Sequence, residues 1–398
     1  ETLGSTDDRK VVAALELLSA QGRTADVPTT ILFHPSPSVV ARALDLFASA
    51  RIESAVEVSR RLLDHADGDV RAAALRLMSV LSPSRAVFEK AFDDPDPRAA
   101  STAEVAFVGC GWDDGSLAAA IAGGIRGDVD DVRLAVARAL AVRATPLLEP
   151  AVRELLADPD PEVAREAIRA AGSLRTPALI DPLIHGLGRR GVRDEARRAL
   201  IGFGSLGLAR LADVLGDPAF PQAVRSQVPL TIALSGAPQA PGLLLSRLRD
   251  ESDGLVRFNV LRALGRWRKE QPAFPLDRSL LNEALTQAVS TSFRMMRWRH
   301  VLEDGARANP MRDTELHRVL VALLRDKQDH ALERAFRLLN LEAGTDEYRR
   351  VYRGLHSPLP QTRAGSRELL AHMVVPQLRG PMFVLVEDLH GESGEAST

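Results

Sequence analysis

Nine histidines, one cysteine and a large excess of arginine are the residues of this chain that could do chemistry. The histidines stand at 34, 65, 185, 300, 317, 330, 356, 372 and 390. None is followed by Glu, and there is no His-x-x-x-His pair to present two zinc ligands on one helix face. His34 and His65 fall at equivalent turn positions of neighbouring repeats, where capping the turn is the expected role. Cys110 is the single cysteine, so no intrachain disulfide can form and a Cys-based zinc site is not expected. Gly202-Phe203-Gly204-Ser205 lacks the Lys-Ser/Thr of a phosphate loop, and no nucleophile elbow appears. These absences predict a chain that is not an enzyme and has no cofactor or metal.

Arginine outnumbers lysine 47 to 4. Guanidinium suits planar, bidentate contacts, but a GC-rich genome also favours arginine codons. Only an arginine pattern, not a single arginine, therefore carries information. Net charge is -2 and the isoelectric point about 6.6, which argues against a bulk nucleic-acid binder. With 45% hydrophobic and 26% charged residues the chain can bury a core. No apolar run approaches the roughly 18 residues of a membrane span. The chain starts inside a periodic segment without a signal peptide. It reads as part of a longer polypeptide, cytoplasmic, with tethering to the inner membrane reserved for the full-length protein.

The elements that position these residues follow a repeat. One phrase recurs: a small polar residue, Pro or Gly, any residue, Val, then apolar positions four, five and eight residues on. Its clearest copy is Asp160-Pro161-Glu162-Val163 with Ala167, Ile168 and Ala171. Other copies anchor at Val39, Val70, Ala99, Val132, Val192, Val224 and Val256, about 31 residues apart. Ser36-Pro37, Asp96-Pro97 and Asp160-Pro161 put a capping side chain before a proline, which the first helical position tolerates. The apolar positions lie on one arc of a 3.6-residue helix. Second apolar segments run over 52–63, 84–92, 146–156, 177–187 and 206–215. Two helices per repeat without strand-like alternation predict an all-α solenoid of stacked hairpins.

The Asp-Pro turns, with Val70-Arg71, Val132-Arg133, Val224-Arg225 and Val256-Arg257, resemble HEAT repeats. That resemblance implies a right-handed α-solenoid, with the second helices lining a concave groove. The His-Glu pairs of HEAT-like di-iron hydroxylases are missing. The expected division is regular repeats over 1–270, irregular helical repeats over 271–386 and a flexible acidic tail over 387–398. Two prolines within 271–275 predict a break. Beyond it, helices are expected over 277–308, 313–324, 328–339, 346–355 and 361–373.

Three arginine patterns stand out. Position +1 of the phrase carries Arg71, Arg133, Arg193, Arg225, Arg257 and Arg363, read as a structural ladder that reaches turn carboxylates. Position +6 reads Asp45, Arg76, Val105, Arg138, Arg169, Arg198, Leu230, Arg262. Arg169 and Arg198 have an acid three residues earlier, whereas Arg76, Arg138 and Arg262 do not. The column is a solvated face or, as a candidate site, an anion-binding groove. Two Arg/Trp clusters, Arg266-Trp267-Arg268 and Arg297-Trp298-Arg299, flank the break and are helix-end packing or a weaker binding site.

The segments 1–18, 328–341 and 352–370 resemble the soluble HEAT part of bacterial carriers related to ADP/ATP translocases. That resemblance implies a non-catalytic interaction or regulatory module. Its partner would be another protein or adjoining domains of the same polypeptide, with membrane association only through a missing transporter domain. The alternative is a nucleotide- or nucleic-acid-binding HEAT protein akin to alkylpurine DNA glycosylases, although the charge balance makes nucleic acid an unfavoured partner. No feature selects a tetrapyrrole-handling HEAT protein.

Overall fold

Each capped phrase starts a helix. The computed structural model describes residues 5, 7–125, 129–271, 276–343, 347–374 and 376–389, without the side chains of 249, 250, 376 and 389. Among them every regular element is helical. The chain divides into two compact units, Glu1–Arg210 and Leu211–Thr398.

The first unit holds α1 (Asp8–Ala20), α2 (Pro37–Ala50), α3 (Val56–Leu62), α4 (Gly68–Leu81), α5 (Arg85–Ala91), α6 (Pro97–Gly109), α7 (Ser116–Gly124), α8 (Asp130–Val142), α9 (Glu149–Leu156), α10 (Pro161–Leu174), α11 (Ile180–Gly186) and α12 (Arg193–Gly202). The boundary falls within α13 (Ser205–Gly216). The second unit continues with α14 (Gln222–Arg225), α15 (Val228–Leu234), α16 (Ala240–Asp250), α17 (Gly254–Glu270), α18 (Arg278–Ala308), α19 (Glu315–Ala343), α20 (Glu347–Leu355), α21 (Pro360–Met373) and α22 (Pro376–Leu389). The chain is thus an all-α protein of repeated helical hairpins.

The caps behave as their chemistry demands. Asp67 accepts the backbone N–H groups of Asp69 (2.8 Å) and Val70, and Asp253 those of Leu255 (2.8 Å) and Val256 (3.0 Å). Asp96 and Asp160 each accept the N–H two residues on. Ser36 departs from the expectation: its hydroxyl bonds that of Ser38 instead. Two residues before each cap lies a further acceptor. His34 and His65 use Nδ1 to accept the N–H of Ser36 and Asp67, and Asp94, Asp158 and Glu251 serve the same place in later turns. Both histidines therefore brace turns.

The +1 arginines form a ladder between repeats, through this second acceptor rather than through the cap carboxylates. Arg71 bonds Asp94 of the next turn (2.8 and 2.6 Å), Arg133 bonds Asp158 (2.7 Å) and Arg225 bonds Glu251 (2.5 Å). Arg71 holds Asp94 below the usual carboxylate range, against an opposing effect of burial. Arg193 donates instead to the Leu187 carbonyl. A second set caps helix C-termini: Arg143 donates to the Gly109 carbonyl (3.0 Å) and to that of Ser79, where the helix dipole favours a cation. Gly109 permits this approach, because a Cβ there would lie 2.7 Å from the Arg143 carbonyl oxygen.

Several expectations need correction. The helices expected over 313–324 and 328–339 are one helix, α19, which starts at Glu315, because Arg325-Asp326-Lys327 contains no breaker. The Val224 copy is two short helices, since Pro229 cannot continue α14. Helices α7, α16 and α22 were not anticipated. Residues 387–389, expected in the flexible tail, belong to α22 instead, with Asp388 buried. Residues 272–275, the predicted break, and 390–398 lie outside the described residues.

Leu75, at a +5 position, is 2% exposed and packs with Phe88, Ala99 and Ala103 of the next repeat and with Val56 and Leu63 of its own. Alanines around it can close in, so Leu75→Ala should cost about 2–3 kcal/mol, the low end for a core leucine. Urea unfolding measures this, and a loss under roughly 0.5 kcal/mol would mean a non-core position.

Candidate functional site

The +6 column does not form one binding surface. In α4 the residues from Ala72 to Ser79 are all buried, so no face of that turn is open. Arg76 is 1% exposed and bonds Asp45, its own column neighbour in α2, at 2.7 and 3.1 Å. Burial alone would lower the Arg76 pKa, but Asp45, with Asp69 and Glu166, more than reverses this. Arg138 pairs with Asp69 at 3.6 Å. Two of the arginines expected to be free are therefore structural ion pairs. Arg169 bonds Glu166 at 2.7 Å and Arg198 bonds Glu195 at 3.3 Å, both on the surface. Such exposed pairs contribute only a few tenths of a kcal/mol.

Arg262 has a different setting. It lines a groove of about 890 Å³ in the second unit, walled by α17, α19 and α20. On α17, Arg262, Arg266 and Lys269 stand at i, i+4 and i+7, one helical face about 10 Å long. On α20, Arg349 and Arg353 stand at i and i+4. Helix α19 supplies Glu333, Phe336, Arg337, Asn340 and Leu341 to the lining. With Arg268, the described lining holds seven basic side chains and one carboxylate. That carboxylate, Glu333, is already held by Arg337 at 2.6 and 3.1 Å. Arg337 also stacks over the Phe258 ring, 4.6 Å from its centroid, a contact that fixes its plane.

Arg266 bonds Glu270 at 2.9 Å. The side chains of Arg262, Arg349 and Arg353 are exposed and make no hydrogen bond or ion pair among the described residues. The groove therefore carries uncompensated positive charge on both walls. Its base is braced by a polar cluster. The Tyr352 hydroxyl donates to Asp329 (2.8 Å), and His356 lies 3.0 Å from the same carboxylate. That hydrogen bond to Asp329 raises the His356 pKa above its ordinary value, against burial. The cluster ties α20 to α19.

The Arg/Trp clusters divide. Trp267 is 2% exposed and sits in the core, while its neighbours Arg266 and Arg268 line the groove. Trp298 is 51% exposed and Arg297 is also exposed, whereas Arg299 is buried against Asp388 (2.5 Å) and Glu303 (2.8 Å). Arg299 thus locks α22 onto α18 and is not available to a ligand. Sequence reasoning missed Arg337, Arg349 and Arg353. The i, i+4 spacing on α20 was readable, but nothing in it told which helix it would face.

Among the described residues no group of three or more His, Cys, Asp or Glu could hold a metal ion. No helix among them is long and apolar enough to cross a membrane. Compared with known proteins, residues 124–201 match the family described as HEAT repeats. These residues cover the end of α7 through most of α12, and they contain the Asp160-Pro161 turn and the Arg133–Asp158 rung of the ladder. A search of curated proteins finds no match to the chain. The match is to HEAT repeats in general, and it lends no support to the resemblance to translocase-related carriers.

Proposed function

We propose that this chain is a non-catalytic interaction scaffold, and that its second unit grips an acidic segment of a protein partner in the groove between α17 and α20. Similarity to HEAT repeats supports a protein-binding role, since stacked helical hairpins offer extended surfaces to partners. The observation that carries the reading is the charge of the groove: among the described residues Arg262, Arg349 and Arg353 line it with side chains that make no hydrogen bond or ion pair, and the one carboxylate of the lining is already paired. Rows of guanidinium groups about 6 Å apart along a helix suit carboxylates on an extended chain, because each can make a bidentate, charge-assisted bond. The α17 row spans about three residues of extended peptide.

The test is fluorescence anisotropy with a labelled peptide rich in Asp and Glu, and with its Asn/Gln analogue. The acidic peptide should bind, weaken steeply between about 50 and 300 mM salt as exposed charges are screened, and outcompete the neutral analogue. Equal binding of both peptides would overturn the reading. Tighter binding of a single-stranded oligonucleotide would favour the nucleic-acid alternative, which the short groove and the chain's net charge of -2 disfavour.

A second reading makes the acidic segment part of an adjoining membrane domain. The observation in its favour is positional. Residues 328–341 and 352–370, which carry the resemblance to the soluble part of translocase-related carriers, fall in α19, α20 and α21, and the first two of these helices wall the groove. In this reading the scaffold sits at the cytoplasmic face of the inner membrane. In-frame membrane spans upstream of Glu1 in the gene would support it, and a reading frame without them would remove it.

A further inference from the structure

The arginine ladder has an irregular last rung. Arg71, Arg133 and Arg225 each meet a carboxylate two residues before the next cap. Arg257 occupies the same +1 position at the start of α17, but among the described residues it meets no such carboxylate. Its guanidinium donates to the backbone carbonyl of Glu251. Its Nε is buried and has no acceptor. Arg334 reaches the same place from α19 and makes no hydrogen bond or ion pair among the described residues.

Both arginines line one small cavity of about 20 Å³, together with apolar side chains of α16, α17, α18 and α19 and with Gln287. The nearest acids are engaged elsewhere. Glu251 bonds Arg225 (2.5 Å) and the Asp253 N–H (2.8 Å), and Glu333 bonds Arg337 (2.6 Å). Two half-buried cations thus line one site, and among the described residues neither is paired with a carboxylate, an arrangement that a packed protein does not tolerate cheaply. Arginine cannot shed its proton at neutral pH to relieve it. The strain shows in the acidities: burial pushes Arg334 down to about 10, with the charge of Arg257 the next cause, and burial lowers Arg257 also.

We infer that the second unit binds a single small inorganic anion, of chloride size, between Arg257 and Arg334. The cavity sets the class of ligand. It has room for about one water-sized particle, too little for sulfate or phosphate. The anion takes the place that Asp94, Asp158 and Glu251 fill at the other rungs, and it ties α17 to α19 behind the groove. Neither arginine lines the groove, so this site stands apart from the peptide-binding reading.

The experiment is thermal unfolding of the full chain in sodium chloride, bromide or gluconate at matched ionic strength. Chloride and bromide should raise the midpoint saturably by about 2–4 °C over gluconate. Arg334→Met should abolish that rise and melt higher than wild type in gluconate. Arg353→Glu, a groove variant, should keep the rise intact. Identical melting in the three salts, or a chloride effect that survives in Arg334→Met, would overturn the site. Should Arg334→Met fail to fold, anomalous diffraction from wild-type crystals in bromide decides the matter. A bromide peak between the two guanidiniums is expected, and its absence at saturating bromide counts against the proposal.

Discussion

Asp45→Ala should destabilise the first unit by about 3–5 kcal/mol, the range for removing one member of a buried ion pair. The reason lies in Arg76, which is 1% exposed and holds Asp45 through Nε and Nη2. Without Asp45, a guanidinium that cannot deprotonate is left inside α2 and α4 with only the more distant Asp69 and Glu166 to offset it. Replacing both partners by apolar residues of similar volume, Asp45→Leu with Arg76→Met, should be close to neutral, because it removes the charge together with its counter-charge. Urea unfolding of the two variants at constant m measures the contrast. A cost below about 1 kcal/mol for Asp45→Ala, or an equal cost for the double variant, would mean that Arg76 finds solvent.

That pair also marks where the sequence stopped being readable. The phrase around Asp160-Pro161 fixes the cap, the helix start and the apolar arc by local rules, and apart from α7 those rules placed the helices from α2 to α13 well. They also identified Arg71, Arg133 and Arg225 as structural. They did not give the acceptor, although the acids and histidines two residues before each cap recur visibly as Asp94, Asp158, Glu251, His34 and His65. Arg76 was misread because helical phase tells which residues share a face, not how many faces are covered. Helix α4 is packed on all sides over Ala72 to Ser79, so its most polar phase is interior. The groove was half visible. Arg262 and Arg266 were in the sequence pattern, but Arg349 and Arg353 reach it from a helix some ninety residues later. Only tertiary packing of α19 sets them opposite α17. The break of α19 into two helices was inferred from hairpin regularity, and an uninterrupted run of good helix formers overrode it.

Arg262→Glu, Arg349→Glu and Arg353→Glu combined should lower affinity for an acidic peptide at least about 1,000-fold, since each arginine offers a charge-assisted bond of roughly 1.5–3 kcal/mol. The three are the informative choice because nothing in the fold depends on them. Each side chain is exposed and makes no hydrogen bond or ion pair among the described residues, so stability should change by no more than about 0.5 kcal/mol per site. Arg337 is unsuitable for the same test. It stacks on Phe258 and neutralises Glu333, and losing it would disturb the groove floor and its charge together. Arg169→Glu with Arg198→Glu serves as the control. These two carry the same charge on exposed helix faces of the first unit, but each is paired with a local acid. If positive charge anywhere on the chain attracted the peptide, this control would weaken binding almost as much as the triple variant. If the groove is the site, the control should bind within about twofold of wild type at 0.15 M salt, where charges farther away than about 8 Å are screened. A triple variant that loses less than about tenfold would remove the groove as the binding site and leave its charge as a solvated surface.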